Sequence, residues 1–242
     1  MTLPEPAAET GRPIRRYQAA VSAGAMASAW ANQEDAPSGA AVIVDHEVSP
    51  LGRLGLRWMV PAESTLAFAV VLRPPLVAEQ SDVPWLVAGL AAAEGIGDIA
   101  TDRKVATWWP DLVVDAATDE TVASIKADVQ LGPGRVRVAV VTIRIDLEIL
   151  GATDRREEVV QAVMQRLDQR ADELAGGVAG PLAAYEQRCR LLGSRLKIRL
   201  LPRGETRGSA HAIHPHGALE LRSATGMVER ISVDMVREMQ VM

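Results

Sequence analysis

The stretch "PLGRLGLRW" at residues 50–58 puts Gly52, Arg53, Gly55, Arg57 and Trp58 into one short loop, soon after an apolar run, "AAVIV", at 40–44. These residue types suit an anionic ligand. Glycines let the backbone approach it, arginines neutralise it, and tryptophan offers a flat face. Leu54 and Leu56 stand where such a loop would carry polar or cationic side chains. Glu47, Asp111 and Asp146 form a second set, whose chemistry would be acid–base catalysis or metal binding, with His46 as the one histidine placed beside them. Trp108, next to Trp109, is either a stacking platform or part of the core. "HAIHPH" holds His211, His214 and His216, but strand-spaced histidines rarely suffice without a further fixed ligand, so no metal is assigned. Cys189 has no histidine partner nearby in sequence and reads as a packed thiol.

The elements that must position these residues follow from periodicity. Residues 40–48, 64–74, 111–115, 121–131 and 134–150 read as strands, with a hairpin through Gly132-Pro133-Gly134. In the last strand Val141, Ile143, Ile145 and Leu147 share one face, and Thr142, Arg144 and Asp146 the other. Residues 21–33, 82–97 and 153–176 read as helices, the last with an apolar stripe and a capping box of Asp154 and Glu157. Residues 1–16 read as a poorly ordered tail, and 175–181, "AGGVAGP", as a linker. From Arg195 the chain changes to short strands and turns. The division expected is 1–16 tail, 17–182 main domain and 183–242 small β-domain.

The chain has 242 residues, enough for a substantial core, and only 3% of them are aromatic, so Ala, Val and Leu must fill it. A net charge of −5 gives no general attraction to nucleic acid. One cysteine, no apolar stretch of membrane-spanning length and no signal-like N-terminus lead to the expectation of a cytoplasmic protein without a membrane partner.

Taken together, these segments resemble the biotin–protein ligase family over nearly the whole chain beyond the tail. The most specific part is C-terminal: "YEQRCRLLGSRLKIRL", "GSAHAIHPHGALEL" and "RISVDMVREM" are similar to the SH3-like barrel that closes these ligases. The resemblance implies an α+β fold: a mixed sheet with helices on one side, then that small barrel. No helix-turn-helix is read before residue 17, so the DNA-binding version of the family is not implied. Such ligases join biotin to ATP and pass biotin from the adenylate to a lysine of a carrier protein.

The motifs that would do this are altered. On the family loop G-R-G-R-x-G-R-x-W, Gly52, Arg53, Gly55 and Trp58 match, whereas Pro50, Leu51 and Leu56 replace a glycine and two arginines. K-W-P-N-D meets Trp108 to Leu112, matching only at Trp109 and Pro110 and placing Asp111 at the asparagine. K-L-A-G-I-L begins at Thr121, so its lysine is lost. G-x-G-x-N meets Thr142, Arg144 and Asp146, without either glycine, and a family glutamine falls on Glu47. A local shift of alignment would offer Lys126 for Thr121 or Arg57 for Leu56, but a five-residue offset on a regular strand puts Lys126 on the face opposite Thr121, which argues against it as a substitute. The site this predicts is neutral or acidic, and loss of one electrostatic stabiliser alone costs on the order of 10²–10³ in rate.

The leading expectation is a degenerate homologue: a non-catalytic module for a small neutral or cationic ligand or for a protein, with no cofactor assigned and a homodimer left open. The alternative is an active ATP-dependent ligase for biotin or another carboxylic acid, using ATP, biotin, Mg²⁺ and a biotin carrier protein. Arg144 is expected to enter the old nucleotide site and pair with Asp111, Asp128 or Glu47.

Overall fold

The computed structural model describes the backbone of residues 7–9 and all of residues 11–242. Its main sheet has eight strands in the order β1-β2-β3-β4-β8-β7-β6-β5. They are β1 (Ala7–Glu9), β2 (Arg12–Ala20), β3 (Ala41–Glu47), β4 (Thr65–Leu72), β5 (Val105–Trp108), β6 (Leu112–Asp115), β7 (Thr121–Gly132) and β8 (Arg135–Asp146). Only β2 and β3 pair in parallel, so the sheet is mixed.

Every residue of β4 is buried, and its sequence "TLAFAVVL" is apolar almost throughout, as befits a strand covered on both faces. Leu66, Phe68 and Val70 face α2 (Val83–Ile99) and α3 (Arg156–Glu173), together with Val141, Ile143, Ile145 and Leu147, the stripe read from the sequence. Ala69 and Val71 face α1 (Ala23–Gln33), with Val138 and Val140. The two long helices thus lie on one side as expected, while α1 covers part of the other. α2 is buried from Val83 to Ile96, and a helix this apolar all round must be enclosed. Its neighbours besides the sheet are α3 and α4 (Ala179–Arg188).

The C-terminal strands β9 (Arg195–Leu200), β10 (Glu205–Ile213), β11 (Leu219–Arg222), β12 (Val228–Ile231) and β13 (Val236–Val241) form an antiparallel sheet in the order β12-β11-β10-β9-β13. This is the small β-domain read from the sequence, here a five-stranded antiparallel sheet. Leu196, Ile198, Ile231 and Val236 join the same apolar cluster as the main sheet. Polar contacts fix the docking: Asp82 accepts hydrogen bonds from Val233 N at 3.1 Å and Ser232 Oγ at 3.4 Å. Glu186 accepts from Ile213 N at 2.6 Å.

Four local expectations need correction. Part of the tail, residues 12–16, belongs to β2, because β3 offers it a parallel partner and Arg15 and Arg16 find Glu34 and Glu157; residues 1–6 and 10 of the tail lie outside the described residues. The Asp154–Glu157 capping box does not form: α3 begins at Arg156 without a side-chain cap, and Glu157 is engaged with Arg16. The 175–181 segment is a short turn leading into α4, whose Tyr185 is buried in the main core, so the boundary at 182/183 runs through a packed helix. β7 is not regular. Against β6, Leu112 pairs with Ser124 but Val114 with Thr121, leaving Val122 as a bulge in the core beside Ala123.

Two glycines of α2 test the packing in opposite directions. A Cβ on Gly95 would fall 2.6 Å from the backbone of Val163, whereas one on Gly97 meets nothing within 4 Å. Gly95→Ala should destabilise by about 1–3 kcal/mol, since α2 and α3 must separate. Gly97→Ala should stabilise by about 0.5–1 kcal/mol through helix propensity. Urea denaturation of both variants checks the signs.

Candidate functional site

The end of β8 that carries Arg144 lies between β4 and β7, opposite Ala67 and Ser124. Its guanidinium is buried, with side-chain exposure of 1%, and faces Glu47 at the end of β3, itself 4% exposed. Arg144 Nε donates to Glu47 at 2.5 Å and Nη2 donates at 3.2 Å. The same carboxylate accepts from Ala23 N at 2.7 Å, in the first turn of α1. A helix N-terminus presents free N–H groups and partial positive charge, so it stabilises Glu47 alongside the arginine. Of the three partners expected for Arg144, the structure selects Glu47.

Thr142, two residues earlier on the same face, lies against Gly24 of α1, where a Cβ would collide with its hydroxyl. A side chain on the strand is thus matched by a bare position on the helix above it. Thr142 Oγ1 and Arg144 Nη1 are buried polar atoms without a hydrogen-bond partner among the described residues.

The loop after β3 keeps a definite shape. Gly52 N donates to Leu56 O at 2.7 Å and Trp58 N to Pro50 O at 2.8 Å, closing it on itself. Leu54 and Gly55 both have positive φ, +56° and +74°; the glycine takes this freely, while the leucine is strained. Gly52 packs near Ser124 Oγ. Trp58 Nε1 donates to Thr65 Oγ1 at 3.0 Å, which holds its ring at the end of β4. Arg53 is directed inward, donating from Nε to Asp111 at 3.0 Å and from Nη1 to Val236 O in the C-terminal sheet. Burial raises the Asp111 carboxyl above its usual range, with Arg53 opposing the shift.

The remaining sequence-derived residues divide. Asp146 accepts from the backbone N–H groups of Glu148 and Ile149, at 3.0 and 3.2 Å, so it shapes the turn after β8. Trp108 is half-buried against the main core, and Trp109 is fully buried with Nε1 donating to Gly217 O. Thr121 shares its face with Ser124, because the bulge at Val122 inverts the parity of β7. Lys126 shares that face too, so the expectation that it opposes Thr121 is wrong. Lys126 pairs with Asp128 at 2.9 Å, a residue considered only as a partner for Arg144. His211 contacts Arg222 on β10 and β11, while the His214 and His216 rings meet edge to face at 4.5 Å in the following turn. Cys189 is buried, and burial pushes its thiol up.

The arrangement places Arg144, Thr142, Ser124 and Lys126 on one stretch of sheet, with the 50–58 loop beside it. Arg53, Arg144 and Lys126 each meet a carboxylate of the chain itself. Arg57, exposed on the loop, is in no ion pair among the described residues. Neutralising one member of a buried pair strands the other. Arg144→Met or Glu47→Gln should therefore cost about 3–5 kcal/mol each, and the double variant less than the sum. A double-mutant cycle by chemical denaturation measures the coupling.

No family model and no curated protein matches the chain. Solved structures do. The biotin protein ligase from Aquifex aeolicus in complex with biotin and ATP superposes with a TM-score of 0.74 at 20% identity, over 95% of this chain and 99% of that one. A biotin protein ligase-like protein of unknown function from a Silicibacter species gives 0.73 at 12% identity, over 95% and 98%. The Leishmania major biotin protein ligase in complex with biotinyl-5-AMP gives 0.56 at 16%, over 90% and 98%. The chain has the fold of the biotin protein ligases, as its divergent motifs indicated.

Proposed function

We propose that this chain is a divergent biotin–protein ligase homologue that has given up adenylation and serves as a non-catalytic binding or interaction module. The observation that carries this reading is the buried Arg144–Glu47 pair, set where the family motif is bare glycine. ATP brings roughly four negative charges, and holding them needs donors that are free to turn to phosphate. Arg53 and Arg144 are instead committed to Asp111 and Glu47, with side chains at most 14% exposed. Opening either pair in a dry site costs several kcal/mol before any phosphate is bound, on the order of the figure for breaking buried pairs. Small ligands that suit this site are neutral or cationic and stack on Trp58 or Trp108.

One observation favours a second reading, an active ligase for biotin or another carboxylic acid. Lys126 lies on the same face as Thr121 and Arg144, and its side chain is one-third exposed, so it supplies a lysine by another route. Mg²⁺ held by carboxylates would offset part of the acidic charge.

The two readings part on chemistry. With ATP, biotin and Mg²⁺ together, the expected outcome is no biotin-dependent pyrophosphate exchange and no calorimetric biotin binding with or without ATP. Hydrogen exchange at residues 47–58 and 142–146 should be unchanged by either compound. Tight biotin binding followed by adenylate formation, lost in Lys126→Ala, would establish the second reading instead.

A further inference from the structure

The face of the main sheet away from Arg144 carries a different balance of charge. A cleft of about 710 Å³ lies between α2, the start of β5, α3 and the end of α4. Its walls include Arg103, Lys104, Arg166, Arg188 and Arg190, against the carboxylates Glu94 and Asp98. The whole chain has a net charge of −5, so this concentration is a local reversal.

Following each ion pair shows which cations are spare. Glu94 is buried and accepts two hydrogen bonds from Arg170, at 2.6 and 2.9 Å, and reaches Arg188 only at 3.6 Å. Asp98 is taken in two-pronged fashion by Arg166, at 2.7 and 2.9 Å, and Asp115 by Arg103 at 2.9 Å. Arg190 meets Asp119 at 3.3 Å with both side chains about half exposed, a type of pair that contributes little. Lys104 is exposed and in no ion pair among the described residues. Arg188, Arg190 and Lys104 are therefore weakly compensated. The half-charges at the C-terminal ends of α2 and α4 offset roughly one cation between them.

Backbone contacts hold the segments that carry these three side by side. Thr107 and Cys189 form a parallel bridge, and Arg190 N donates to Thr107 O at 2.9 Å, clamping the segment after α4 along β5. We propose that this cleft is a binding site for a compact oligophosphate, an anion with two or more linked phosphate groups, separate from the Arg144 site. Arginine forks and a lysine point charge both suit phosphoryl oxygens, and cations from two segments suit charge spread over more than one centre.

Calorimetric titration of pyrophosphate and tripolyphosphate, with citrate and sulfate as comparators, tests this. Tripolyphosphate should bind tightest, followed by pyrophosphate, and both should weaken about tenfold between roughly 0.05 and 0.5 M salt. The variant Lys104→Ala/Arg190→Ala should lose at least about tenfold in affinity. Arg53→Ala should lose none. Protection from hydrogen exchange at 103–107 and 187–190 reports the location in the unaltered chain. ATP belongs to the same anion class, so any ATP binding should follow the same two variants. Absence of binding below about 10 mM, citrate or sulfate binding as tightly, or binding that survives the double variant and disappears with Arg53→Ala would each overturn the proposal. The last of these outcomes would also place phosphate in the candidate site and count against the loss of adenylation.

Discussion

The Arg144–Glu47 pair is the constraint around which the site is organised. Two charges in a place this dry are tolerable only when each has a partner and hydrogen bonds complete the arrangement. Glu47 accepts from two arginine nitrogens and from Ala23 N, so one carboxylate joins β3, β8 and the start of α1. With α1 anchored there, Gly24 is brought onto Thr142, where no larger residue fits. The loop that begins at Val48 departs from the residue next to this anchor, and Arg53 carries it to Asp111 and the C-terminal sheet.

The chemistry follows from that commitment. An adenylating site needs cations that are pre-positioned yet uncommitted, so that charge developing on phosphate is met without reorganisation. Arg53 and Arg144 are pre-positioned and already answered by carboxylates of the chain. The fold is that of the ligases, and a fold shared at 20% identity or less carries architecture and not activity. The spare cations lie on the other side of the sheet, beyond α2, where Glu94 and Asp98 are outnumbered.

Much of this was legible in the amino-acid order. Strand and helix positions follow from apolar spacing, because alternation in β8 and the stripe in α3 are local records of which side faces a core. The altered motifs also fixed the shortlist for Arg144. Choosing Glu47 from it needed the order of strands, since β3 and β8 are separated by β4 and no local pattern reports that. The first five residues of β2, "RPIRR", read as tail because their proline and arginines look solvated; a parallel neighbour and the acids Glu34 and Glu157 make them strand.

What the sequence alone determined is therefore the α+β architecture, the hairpin at Gly132-Pro133-Gly134 and the residue types lining the site. Tertiary structure decided their relations. A single bulged residue, Val122, reverses the parity of β7 and brings Lys126 onto the face of Thr121, against the regular two-residue period. Glu157 leaves its helix cap for Arg16, and Cys189 is clamped to Thr107 of another element. The physical reason is common to all three. Periodicity is set by neighbours in sequence, whereas bulges, ion pairs and strand bridges are settled by competition among groups that only folding brings together.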